Sequence, residues 1–180
     1  GGLIKNLSSK YEVDYATAAF GQGIAVTPME VVRALSALGN GGILMRPYVV
    51  DSINYNIGAL KKTVPLMQGR VIKQKTSEDI TRMLVKVVDE NLLGGIYKLK
   101  NYTVAAKTGT AQLTDGKGHY YSDKYLHSFF GYFPAYDPKF LVFLYIVDPK
   151  GVEYASHTLT EPFFGLTKFL ISYYEIPPDR

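Results

Sequence analysis

Tyr102-Thr103-Val104-Ala105-Ala106-Lys107-Thr108-Gly109-Thr110-Ala111-Gln112 is the stretch on which the reading of this chain turns. A short apolar run, Val104-Ala105-Ala106, leads into a Lys, then two hydroxyl side chains with a Gly between them. A regular strand points Lys107 and Gly109 to one face and Thr108 and Thr110 to the other. Lys107 brings positive charge, and strand N–H groups can donate to an oxyanion. Gly109 leaves room for a ligand backbone at the strand edge. The segment is a candidate anion-binding edge. The plainer alternative is a Gly-containing edge strand with a surface Lys.

Two other phosphate-handling patterns share some of these residues. Val104-Ala105-Ala106-Lys107 is similar to the strand that carries the kinase Lys, but no Gly-rich loop precedes it, and neither H-R-D nor D-F-G follows. Ala106-Lys107-Thr108 is similar to the end of a G-x-x-x-x-G-K-[ST] loop, yet Asn101 and Ala106 stand where both glycines are required.

Downstream, residues 127–134 and 140–147 read as two strands, joined by Ala135-Tyr136-Asp137-Pro138-Lys139, which has hairpin-turn chemistry. Residues 113–125, rich in Asp, Gly, Lys and Tyr, read as an exposed loop. A last helix is expected from Pro162, with Phe163, Phe164, Leu166, Phe169, Leu170 and Tyr173 as its core face and Pro177-Pro178 as its stop. Upstream, a helix is expected from Thr76 and Ser77, with Ile80, Met83, Leu84, Val87 and Val88 at helical spacing and Gly94-Gly95 at its end. Farther back, Thr27 with Glu30 forms a capping-box pattern with Pro28 at the first helical position, and Val31, Val32, Leu35 and Leu38 give an apolar face. Gly39-Asn40-Gly41-Gly42 closes that helix, and a strand is expected over residues 48–54. Residues 1–20 carry no assignable pattern. Helices, then three antiparallel strands, then a helix make an α+β domain, a sheet covered by helices.

Composition narrows the function classes. The 180 residues are 47% hydrophobic and carry a net charge of +4, with no run of five basic residues. A scattered positive charge of this size reads as solvated surface and argues against a nucleic-acid partner, while suiting an anionic ligand. The absence of Cys excludes disulfides, thiolate metal sites and a Cys nucleophile. His119, His127 and His157 show no metal-ligand spacing, so no metal and no cofactor are expected. His127, within an expected strand, reads as a packed or surface residue. Gly21-Gln22-Gly23 lacks the preceding strand and third Gly of a dinucleotide loop and reads as a turn into the capped helix. No apolar run reaches the length of a membrane span, and Gly1-Gly2-Leu3 lacks an initiator Met, which reads as an artificial or processing boundary.

Lys107-Thr108-Gly109-Thr110 resembles the K-T-G-[TS] motif of penicillin-binding proteins and serine β-lactamases. Ala19-Phe20-Gly21-Gln22-Gly23-Ile24-Ala25-Val26-Thr27-Pro28 resembles the A-F-G-Q-G-x-x-x-T-P stretch of class B and some class A penicillin-binding proteins. Asn40-Gly41-Gly42 with Arg46-Pro47, and Ser128-Phe129-Phe130-Gly131-Tyr132-Phe133-Pro134 with Asp137-Pro138, continue the resemblance over roughly residues 15–175. It implies a partial penicillin-binding transpeptidase fold, like that of serine β-lactamases. It also implies a D,D-transpeptidase of the class B type. A serine attacks the D-Ala-D-Ala bond of a peptidoglycan stem peptide and passes the acyl group to an amine, and β-lactams trap that serine. By this resemblance Lys107 is catalytic, stabilising negative charge. Lys107, Thr108, Gly109 and Thr110 bind substrate, the two hydroxyls meeting its terminal carboxylate and the Thr110 N–H forming half of an oxyanion hole.

The family also uses S-x-x-K and S-x-N. No serine here has Lys three positions on, and Ser52-Ile53-Asn54, the one S-x-N, lies after the A-F-G-Q-G stretch where the family places it before. Ser52 therefore reads as a chance match. The resemblance implies that residues 1–180 are the C-terminal part of one transpeptidase domain whose nucleophile lies in a missing N-terminal part. This stretch alone is then expected to be inactive and prone to self-association through the edge of the strand at residues 140–147. A membrane-anchored parent on the extracytoplasmic face, working with other cell-wall synthesis proteins, is implied in the same way. A β-lactam sensor, a β-lactamase-like hydrolase and a serine-less scaffold are the alternatives.

Overall fold

The computed structural model describes residues 2–116 and 118–180. A 3-10 turn, Lys5–Ser8, and helix α1, Glu12–Ala18, come first, in the region without a sequence pattern. Gly21 and Gly23, both at positive φ, then turn the chain toward helix α2, Pro28–Gly39. The expected capping box is present. Glu30 N–H donates to Thr27 Oγ1 at 3.3 Å, and Thr27 N–H donates back to the Glu30 carboxylate at 2.8 Å. These bonds hold the Glu30 carboxyl below its ordinary range, the backbone donor being the largest cause.

The expected strand over residues 48–54 is corrected to four short strands. Strand β1, Ile43–Arg46, pairs antiparallel with β4, Leu66–Arg70; between them β2, Ser52–Asn54, pairs with β3, Leu60–Lys62. Pro47 has no N–H to give to a ladder, so β1 stops at Arg46. Every residue of β2 and β3 is exposed.

Helix α3, Gln74–Lys86, begins slightly earlier than expected and passes into a π turn, Val87–Asn91, and a 3-10 turn, Leu92–Gly95. Its buried arc is Ser77, Thr81, Leu84 and Val85, continued by Val88 in the π turn. Met83, expected in the core, is 62% exposed. At 100° per residue it lies on the far flank of an arc centred on Thr81 and Leu84.

The main sheet is β5, Ala105–Thr114; β6, Tyr120–Phe133; and β7, Phe140–Val147, in the order β5-β6-β7, all antiparallel. Phe140–Val147 matches its expected range. The first strand, which the sequence places over residues 102–107, is shifted: it starts at Ala105 and runs through the whole Lys-Thr-Gly-Thr segment to Thr114. Much of the expected loop over residues 113–125 is strand, because its Tyr, Leu and Thr residues suit a pleated surface. Only residues 115–119 connect the strands, and Lys117 among them lies outside the described residues.

Helix α4, Thr160–Tyr173, covers one face of the sheet. Phe163 and Phe164 are buried as expected, with Phe163 stacked on Phe129 at 4.4 Å between ring centroids. Leu166, Phe169 and Tyr173 are exposed, and Thr167 and Ile171 are buried in their place. On this face the core gathers Val88, Val104, Ala106, Phe129, Phe133 and Phe163. On the other face Ala105, Tyr132 and Ala135 pack on Leu84 and Val85 of α3.

Candidate functional site: the edge of strand β5

Cross-strand partners share a face of a sheet, so the register decides where each side chain of the Lys-Thr-Gly-Thr segment lies. Lys107 pairs with Phe130, which packs on the α3-side cluster, and Gly109 pairs with Ser128. Thr108 pairs with Phe129, in the α4-side core, and Thr110 pairs with His127. The expected alternation holds, with Lys107 and Gly109 on the α3 face and both threonines on the α4 face. Strand β5 is the end strand, and its ladder is with β6 alone. Its outer edge therefore presents backbone N–H and C=O groups without a strand partner.

Lys107 is exposed at this edge while its neighbours Ala105 and Ala106 are buried, so the strand leaves the core where the Lys begins. Its Nζ donates to the Thr108 carbonyl at 2.9 Å, which turns the ammonium back along the edge. The Thr110 Oγ1 accepts the N–H of Ala155 at 3.1 Å, leaving the hydroxyl hydrogen to donate. Gly109 does meet a steric requirement, though within the protein. A Cβ there would stand 2.5 Å from Ser128 Oγ, which itself donates to the Gly109 carbonyl at 3.4 Å. Chemically, the edge offers one exposed cation, two hydroxyls and strand N–H groups without a strand partner along four residues. That set suits an extended ligand with a carboxylate.

The start of the strand is clamped. Asp179 accepts the Thr103 N–H at 2.7 Å and also the Thr103 hydroxyl. Tyr102 Oη donates to the Ile176 carbonyl at 3.0 Å, and Ala135 N–H donates to Thr103 Oγ1 at 2.9 Å. Beside this clamp, both Arg180 Nη groups reach the Asp89 carboxylate, and Arg180 Nε donates to the Leu99 carbonyl at 3.1 Å. The Arg180 bonds, more than the nearby charge of Lys98, hold the Asp89 carboxyl below its ordinary range. At the far end of the β5–β6 hairpin, Gly23 N–H donates to Tyr120 Oη at 2.9 Å, so the Gly21-Gln22-Gly23 turn is tied to the sheet.

Other sequence candidates lie apart from this edge. Ser52-Ile53-Asn54 is strand β2, in a separate exposed hairpin. His119 Nδ1 is 3.3 Å from Asp115 Oδ2 in the hairpin turn, and exposed His157 lies edge-on to Tyr154. Among the described residues no group of three His, Asp or Glu side chains could hold a metal ion, and no helix is long and apolar enough to cross a membrane. A surface cavity of about 210 Å³, at Gly39, Tyr132 and Phe140, and a larger one of about 500 Å³, at Ser122 and Asp148, are both lined by residues other than Lys107.

Residues 2–166 match the family described as the penicillin binding protein transpeptidase domain. The chain belongs to that family. Stage V sporulation protein D of Bacillus subtilis is 37% identical over 169 residues, which cover 91% of this chain and 25% of that protein. The peptidoglycan D,D-transpeptidase FtsI of Buchnera aphidicola subsp. Schizaphis graminum is 29% identical over 180 residues, covering 99% of this chain and 30% of that one. The chain thus spans about a quarter to a third of the length of these curated relatives. Penicillin binding protein 3 of Mycobacterium tuberculosis, in its crystal structure with aztreonam, superposes with a TM-score of 0.85 at 23% identity, over 99% of this chain and 42% of that one. That likeness bears on the fold, and it agrees with the α+β transpeptidase fold expected from the sequence. Within this family chain the clamp of Asp179 and Arg180 and the bond of Ala155 to Thr110 carry no motif. They join residues 76, 91 and 45 positions apart, and no spacing rule links them.

Proposed function

We propose that residues 1–180 are the C-terminal part of the transpeptidase domain of a class B-like peptidoglycan D,D-transpeptidase. The nucleophilic serine and its lysine come from residues beyond these. The observation that carries this reading is the outer edge of β5, free of a strand partner, where Lys107, Thr108, Gly109 and Thr110 stand in succession. The substrate is the D-Ala-D-Ala end of a stem peptide, laid along that edge as an added strand. The serine oxygen attacks the penultimate D-Ala carbonyl, and the terminal D-Ala leaves as an amine. An acceptor amine then takes the acyl group and releases the serine.

Lys107 offsets negative charge near the serine, and Thr108 and Thr110 donate to the terminal carboxylate. The N–H of Thr110 supplies one donor of the oxyanion hole, and the serine's own N–H supplies the other. Gly109 keeps the edge low enough for close approach. The full protein acts outside the cytoplasmic membrane, held by an anchor, beside other cell-wall synthesis proteins. By themselves these residues do not acylate, and the outer edge of β7 pairs with the rest of the domain or with another chain.

Covalent labelling with a fluorescent penicillin, read by intact mass, tests this on residues 1–180 and on the longer protein that contains them. An adduct on the longer protein and none on residues 1–180 is the expected result. An adduct on residues 1–180 would overturn the placement of the nucleophile, with Ser52 the first residue to map. No adduct on either would favour a scaffold over an enzyme.

A further inference from the structure

Thr110 is exposed at the end of the tetrad, yet its hydroxyl is held by a loop whose own anchor is fully buried. Ala155, whose N–H Thr110 accepts, is buried completely in the 3-10 turn Ala155–His157. Directly across the strand pair from Thr110 lies His127, also with no exposed surface. His127 Nε2 is 2.8 Å from the Glu153 carbonyl, and Nδ1 is 2.9 Å from Thr158 Oγ1. One imidazole therefore grips the segment on both sides of Ala155, at residues 153 and 158.

The hydrogen-bonding roles follow from chemistry. A carbonyl only accepts, so Nε2 carries the proton toward Glu153. In the neutral ring Nδ1 then accepts, and Thr158 gives it the one hydroxyl hydrogen. The ring at 2.9 Å is a better acceptor for it than the Ala155 carbonyl at 3.3 Å. With 153 and 158 fixed, the N–H of Ala155 is fixed between them. That N–H, bonded to Thr110 Oγ1, restrains the Thr110 rotamer and leaves its hydroxyl hydrogen free to donate elsewhere. A strand residue at the rim of a sheet would otherwise sample its staggered rotamers freely.

We propose that His127 is a positioning residue for ligand binding at β5, acting through Glu153, Thr158 and Ala155 on the Thr110 hydroxyl. Its effect falls on the part of the ligand that Thr110 meets, the carboxylate. This rests on the reading of the β5 edge given above. The imidazole itself touches neither ligand nor serine.

The test is the second-order acylation rate of the longer protein, with a penicillin bearing its free carboxylate and with the methyl ester of the same penicillin. His127→Ala and Thr158→Val each lower the rate with the free acid about three- to tenfold, the loss of one well-aimed hydrogen bond, and leave the ester rate unchanged. In a Thr110→Val background neither substitution lowers the rate further. If His127→Ala does not fold, Thr158→Val, nearly isosteric, carries the test alone. Losses that are equal for acid and ester, or that add fully to Thr110→Val, overturn the positioning role. A Thr110→Val protein that acylates at the unsubstituted rate overturns instead the carboxylate reading of the edge, and the role of His127 with it.

Discussion

Asp179 closes on Thr103 with both carboxylate oxygens, one taking the backbone N–H at 2.7 Å and the other the side-chain hydroxyl. The contact joins the end of the chain to the residue two positions before strand β5. Thr103 is itself 5% exposed, and its Oγ1 also accepts the N–H of Ala135, after β6. A carboxylate bonded to a buried N–H and a buried hydroxyl leaves two orphaned donors when removed. Asp179→Ala is expected to destabilise the protein by about 2 kcal/mol. Equilibrium unfolding in urea measures it, and a cycle with Thr103→Val separates the hydroxyl contribution from the backbone one. A loss below about 0.5 kcal/mol would mean that water replaces the clasp at no cost.

Asp89 and Arg180 make a second closure at the same corner, with side chains 12% and 23% exposed. The folded-state carboxyl titrates below its ordinary value, so the pair contributes stability that is complete above the unfolded Asp pKa of about 4. That contribution is lost as pH falls through the lower, folded-state value. Arg180→Gln is expected to cost about 1–3 kcal/mol at neutral pH, and the difference from the unsubstituted protein to shrink below about pH 4. Thermal unfolding at a series of pH values shows whether it does. A difference that stays constant down to pH 2 would assign the loss to packing of the Arg180 stem.

The sequence made the last strand of the sheet and the tetrad legible, misplaced the bounds of β5 and β6, and left the clamps unread. The capping box of Thr27 and Glu30 and the strand Phe140–Val147 are local, and their signals lie within a few residues. The face of α4 was only half legible. Phe163 and Phe164 are buried, but Phe169 and Tyr173 stack on each other at 5.6 Å on the outside. Apolar spacing alone cannot tell which side of an all-round apolar helix meets a sheet. His127 reads in the sequence as a packed or surface residue, and the structure buries it completely. Its grip on both sides of Ala155 depends on the return of the chain after β7, which no pattern encodes.

Gly131 offers a prediction about packing under the tetrad. A Cβ there would lie 2.5 Å from Phe163 Cζ of α4 and 2.7 Å from Ala106 Cβ, its cross-strand partner on β5, so α4 approaches β6 as closely as the glycine permits. Gly131→Ala is expected to cost about 1–3 kcal/mol, because Phe163 is fully buried and its ring has nowhere to move. The shift falls next to Ala106 and so reaches Lys107. Hydrogen exchange should speed up at the amides of β5 before those of β1 and β4. Unchanged exchange in β5 would show that α4 moves as a unit instead.

Lys107 carries the sharpest functional prediction. It is exposed, its recorded bond is to the carbonyl of the next residue, and it forms no ion pair among the described residues. Nothing in the fold depends on it, so Lys107→Ala should leave unfolding within about 0.5 kcal/mol of the unsubstituted protein. At the proposed site the same substitution removes the one cation on the edge where negative charge gathers. Acylation of the longer protein by a fluorescent penicillin should fall at least about a hundredfold, the scale of losing one preorganised donor to developing charge. Lys107→Arg keeps the charge but spreads it over a planar fork, and should recover only part of the rate. Full activity in Lys107→Ala with unchanged unfolding would remove the strand edge from the chemistry and leave Lys107 as solvated surface.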